Sequence, residues 1–164
     1  MTMEFIKQIV IYAILIAVLW AAIVFLPGFR RLTVPGGNTE ITGAKELEDY
    51  PLDLTVTVAR LRQGDVVSYR LGDEGDTVVH LAWVAGLPGD RIAVDASGKL
   101  SVNDKPFTQV EHLYARGLGA MLPACGPMIV PADHLYLLNS EGQNDSLGRG
   151  PLPAIALRGR VGGL

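Results

Sequence analysis

The stretch that decides the fold is Thr77–Phe107, TVVHLAWVAGLPGDRIAVDASGKLSVNDKPF. From Val78 to Ala85 it is β-branched and apolar, interrupted only by His80, and reads as a buried strand. Gly86-Leu87-Pro88-Gly89-Asp90 then imposes a tight loop, because glycine tolerates positive φ and proline fixes its own. Arg91–Asp95 is a second extended run. Ala96-Ser97-Gly98 is a hairpin turn, and Leu100–Val102 returns antiparallel.

On the N-terminal side, Val66–Leu71 reads as a strand entered through the turn Gln63-Gly64-Asp65. Leu52–Leu61 alternates, with Leu52, Leu54, Val56 and Val58 on one face, which predicts a half-buried strand. Arg30–Gly37 is a short extended segment closed by a turn. Asn38–Tyr50 is polar, with room for a helical turn or two over Ala44–Asp49, and Gly72–Asp76 is an acidic solvated loop. On the C-terminal side, Thr108–Met128 is irregular and punctuated by Gly and Pro. His134–Leu138 is a strand, Asn139–Gly150 a polar loop, and Ile155–Val161 a last strand. Many short strands between Gly/Pro turns, with no long amphipathic helix, predict a mainly β domain of antiparallel sheets over residues 30–164.

Residues 1–29 read differently. Ile9–Leu26 carries no charge, Phe5 and Ile6 extend it, and Pro27-Gly28 ends it. Such a run makes about 27 Å of helix, enough to cross a bilayer core, so the expectation is a single transmembrane anchor in contact with lipid through residues 5–26. It is long for a secretory leader and lacks a small-x-small cleavage site. Lys7 precedes it and Arg30 and Arg31 follow it. Those charges do not favour a cytoplasmic N-terminus and mildly favour the reverse.

Net charge is −3, which argues against a nucleic-acid partner. The single Cys125 excludes an internal disulfide, and His80, His112 and His134 are too scattered for a metal site. No cofactor is implied.

Three segments together resemble type I signal peptidases, the membrane-anchored Ser/Lys serine proteases. The first is Gly64-Asp65-Val66-Val67. The second is Val84–Asp90, containing Gly86, Pro88, Gly89 and Asp90, with its return Val102-Asn103-Asp104-Lys105; the family reads Lys-Arg-Val-Val-Gly-Leu-Pro-Gly-Asp, then Val-Asn-Gly-Lys. The third runs from Val130-Pro131 through Leu135–Asn139 and Asn144-Asp145-Ser146 to Gly150, Pro153, Gly159 and Arg160. The resemblance implies β-sheets with a peptide groove facing the bilayer, and an extracytoplasmic or periplasmic domain.

The family's chemistry needs a serine hydroxyl that attacks the scissile carbonyl and a neutral, desolvated lysine that takes its proton. Carried onto this chain, the serine position falls at Asn38, the lysine position at Ala82 and the arginine beside it at Trp83. In the third segment the family's Gly-Asp-Asn-Arg becomes Leu137–Ser140, its supporting serine becomes Gln143, and the arginine after Asp-Ser becomes Leu147. Without that arginine, Asp145 needs another partner or must stay wet. An amide and a methyl group supply neither nucleophile nor base. The resemblance therefore implies a noncatalytic relative, a binding or structural subunit whose partners are other membrane protein subunits or an extended peptide. Trp83, Tyr114, Met121 and Leu122 are its candidate contacts. The competing reading is an active peptidase with relocated groups, Thr39 as nucleophile and His80 as base, the endoplasmic-reticulum branch of the family using histidine. His80 shares the strand face of Ala82 but lies about 6.6 Å away. Ser140 and Ser146 read as turn caps.

Overall fold

The computed structural model describes residues 3–25, 29–34, 48–72, 78–108, 124–140 and 144–163. Helix α1 (Met3–Phe25) is followed by eleven strands: β1 (Phe29–Thr33), β2 (Asp49–Asp53), β3 (Val66–Tyr69), β4 (His80–Gly86), β5 (Arg91–Val94), β6 (Leu100–Val102), β7 (Lys105–Pro106), β8 (Cys125–Ile129), β9 (His134–Leu138), β10 (Leu152–Pro153) and β11 (Leu157–Val161). Seven of them form one sheet in the order β1-β2-β11-β3-β4-β9-β10. The other four form a second sheet in the order β7-β6-β5-β8. Every pairing is antiparallel, so the expected mainly β architecture is present.

β4 is the pivot because all seven of its residues are buried. Leu81, Trp83 and Ala85 face an inner core shared by both sheets, with Val66, Ile92, Leu100, Val130 and Leu138. Ala82 and Val84 face the opposite side of the large sheet, in a second cluster with Leu61, Val67, Tyr69, Leu135, Leu137 and Leu152. Burial on both faces is why the strand reads as a continuous apolar run rather than an alternation.

The loop after β4 carries the chain from one sheet to the other. A Cβ on Gly86 would stand 2.7 Å from Ile92 Cδ1 and 3.1 Å from Tyr136 Cβ. Only glycine lets the two sheets close at this switch point. Gly89, at φ 87°, makes the turn itself, and its N–H donates to the carbonyl of Val130 at 2.9 Å.

Four expectations need correction. The strand over Leu52–Leu61 stops at Asp53: its Oδ1 accepts from both the N–H and Oγ1 of Thr55, at 2.9 and 2.7 Å, and that local turn outcompetes extension. A 3-10 turn at Val58–Arg60 follows, and Leu54 is exposed. The irregular segment Thr108–Met128 ends in β8, which pairs with β5. The polar loop Asn139–Gly150 contains a short helix α2 (Ser146–Arg149), started by the Asp145 carboxylate accepting from the N–H of Leu147. The last strand begins at Leu157, after a 3-10 turn at Ala154–Ala156.

Within the segment expected to be a membrane anchor, Met3–Phe25 forms helix α1. Among the described residues, however, no helix is long and apolar enough to cross a membrane.

Candidate functional site

The side chain of Ala82, which the resemblance leads one to expect at the position of the family's base, is fully buried. It stands opposite Val67 of β3 in the pairing register, and its cluster is closed by Leu61, Leu135 and Leu137. His80 lies on the same face, as the two-residue strand spacing requires. It is 7% exposed, and its ring centroid is 5.4 Å from that of Tyr69. Trp83 points the other way and is buried in the inner core. Asn38, Thr39, Tyr114, Met121 and Leu122 lie outside the described residues. Among the described residues no cluster of three or more His, Cys, Asp or Glu could hold a metal ion.

The motif residues converge elsewhere, on Asp90. Its Oδ2 accepts from the N–H of Leu87 at 2.8 Å and from Gln63 Nε2 at 3.0 Å, while its Oδ1 accepts from Asn103 Nδ2 at 2.7 Å. Partial burial pushes the Asp90 carboxyl up, but the donors Leu87, Asn103 and Gln63 together outweigh it and hold it below the ordinary carboxylate range. Asn103, at φ 52°, returns the contact through Oδ1, which accepts from the N–H of Arg91 at 2.9 Å. Gly64 and Asp65 join from the neighbouring strand: the Gly64 N–H donates to the Val84 carbonyl, and the Val84 N–H to the Asp65 carbonyl, both at 2.8 Å. Arg160 reaches the carboxylates of Asp65 and Asp53 at 3.8 and 3.7 Å. The Gly-Asp turn, the Leu-Pro-Gly-Asp loop, the Val-Asn return and the Gly-Arg strand are thus one polar knot tying β3, β4, β5, β6 and β11. This convergence was not readable from the separate motifs, although their fixed order was the signal.

A second retained pair, Asp145-Ser146, has an equally structural task. β10 covers β9 only at Leu135 and His134. Further along, Ser146 Oγ accepts from the N–H of Leu137 at 2.9 Å, and Asp145 Oδ2 from the N–H of Asn139 at 3.1 Å. The two side chains continue the ladder that β10 leaves short, so buried strand donors are not orphaned. Asp145 therefore has backbone partners in place of an ion pair. Burial is the stronger influence and raises its carboxyl above the ordinary range, against the pull of the N–H groups of Asn139, Leu147 and Gly148. Arg149 bonds Asn144 Oδ1 at 3.3 Å instead, and Leu147 packs on the inner core.

The chain falls within a class of serine peptidases. The family model described as signal peptidase, peptidase S26, matches residues 3–163, and the chain belongs to that family. No curated protein sequence matches it. Among solved structures, a signal peptidase I from Enterococcus faecalis aligns at 13% identity and a TM-score of 0.48, over 63% of this chain and 98% of that one.

Proposed function

We propose that this chain is a noncatalytic, membrane-anchored member of the signal peptidase family that serves as a binding or structural subunit of a membrane protein complex. The observation that carries the reading is Ala82: where a general base would stand there is a methyl group sealed in an apolar cluster. A lysine can act as a base only if its amine sits beside a nucleophile. The reading in which His80 replaces it is not favoured, since that ring is buried against Tyr69.

Anchoring by α1 is supported by its surface. Ile9, Val10, Ile11 and Tyr12 are consecutive, so they sample every face of the helix, and each is at least 49% exposed. A helix apolar all round and uncovered by its own domain fits a lipid environment. The family resemblance supports a β domain outside the cytoplasm. The segment between Asn38 and Gly64 replaces the family's passage from nucleophile to groove, which favours a structural subunit over a peptide receptor. Purification of the tagged full chain in mild detergent should recover membrane subunits at fixed stoichiometry, and carbonate washing should leave the chain with the membrane. Isolation as a lone monomer, or release by carbonate, would overturn the proposal.

A further inference from the structure

A cleft of about 260 Å³ opens on the side of the large sheet where the end of β3 meets β10 and α2. Its apolar wall is made by Leu71, Leu152, Ala156 and Pro151, and two guanidinium-bearing side chains, Arg70 and Arg149, line it from segments far apart in sequence. Among the described residues no acidic side chain lines it. Three arginines of the sheets do have carboxylate partners: Arg31 with Asp49, Arg91 with Asp104, and Arg160 with Asp53 and Asp65. Arg149 has only the neutral Asn144 Oδ1, and Arg70 is engaged through its backbone N–H, which donates to the Ala156 carbonyl at 3.0 Å.

The backbone that carries the two arginines is held by hydrogen bonds. Asn144, at φ 57°, is held by the Tyr69 hydroxyl donating to its carbonyl at 2.8 Å, and Asn144 in turn steadies Arg149. The backbone of Arg70 is tied to the 3-10 turn that contributes Ala156. Guanidinium groups present planar, permanently charged forks suited to carboxylate and phosphate oxygens. Two of them beside an apolar wall, with no carboxylate among the described lining residues, match an oxyanion carried on a small apolar group.

We propose that this cleft is an oxyanion-binding site for a phosphate or carboxylate bearing a short apolar substituent, separate from the Ala82 position. It does not depend on the noncatalytic reading.

The test is a titration of the full chain in maltoside micelles, followed by ¹H–¹⁵N shifts of Arg70, Gly72 and Arg149. The probes are n-butyl phosphate, hexanoate and inorganic phosphate, at constant ionic strength set with sodium chloride. Saturable shifts are expected, with n-butyl phosphate and hexanoate binding several-fold more tightly than inorganic phosphate. Affinity should fall at least tenfold in Arg70→Gln and in Arg149→Gln, while Arg91→Gln, whose arginine is already paired with Asp104, should bind as the wild type does. Linear shifts that chloride reproduces would overturn the proposal, as would undiminished binding in the Arg70→Gln/Arg149→Gln double variant. Equal binding of inorganic and butyl phosphate would overturn the apolar part of the assignment.

Discussion

Asp90 and Ala82 stand at either end of the same strand-to-loop passage, yet their surroundings are opposite. Around Asp90 every motif side chain has a polar partner, from Gln63 on one sheet to Asn103 on the other. Ala82 is fully buried in a cluster made mainly of aliphatic side chains. The difference separates two kinds of family residue. In the proposed noncatalytic reading, those that hold the sheets together are retained, and the position of the proton-moving base holds a side chain that fills space.

The sharpest way to break this contrast is to put the amine back. Ala82→Lys forces a long charged side chain into a packed apolar cluster, and a loss on the order of 3–5 kcal/mol is expected in urea unfolding. Near-neutral stability would mean that a cavity or solvent path exists there. Next in size is Asp145→Ala, which removes the acceptor from the N–H groups of Asn139 and Leu147. Leaving buried donors without partners should cost about 2–4 kcal/mol by the same measurement. Gly86→Ala follows, at about 1–3 kcal/mol, because its Cβ would meet Ile92 Cδ1 at 2.7 Å. Restoration by the companion change Ile92→Val would show that the clash is the cause.

The smallest effect is also the most discriminating, because the two carboxylates have opposite signs with pH. Asp90 is held below the ordinary carboxylate range by Leu87, Asn103 and Gln63 against its burial. Its contribution is therefore present above that range and lost as pH falls through the depressed value. Asp145 is raised by burial. Its contribution is full at pH below the ordinary value and is lost as pH rises through the elevated one. The deficit of Asp90→Asn relative to wild type should thus shrink on acidification, whereas that of Asp145→Asn should shrink as pH rises. Parallel curves for the two variants would contradict the environments described here.

Much of the fold is legible along the chain, for physical reasons. β4, β5 and β6 follow from an apolar run, a Leu-Pro-Gly-Asp turn and a Gly-bearing hairpin, all of which are local signals. What escapes is decided by partners distant in sequence. Nothing in Gly86 alone reveals that it joins two sheets rather than two neighbouring strands; that depends on Ile92, Val130 and Tyr136 closing around it. The alternation after Leu52 predicts a longer strand because it ignores the competing turn that Asp53 makes with Thr55. At the candidate site, Ala82 is singled out by the family resemblance, and the face it shares with His80 is readable from strand spacing. The use of Asp145 and Ser146 to finish the edge of β9 is not, since it requires the shortness of β10 to be known.

The most direct measurement is cleavage of a signal-peptide substrate by the purified full chain in detergent, compared with Thr39→Ala and His80→Ala variants whose folding is checked by circular dichroism. No turnover above the buffer rate is expected for any of the three. Turnover by the wild-type chain that either substitution abolishes would contradict the account and restore a working peptidase.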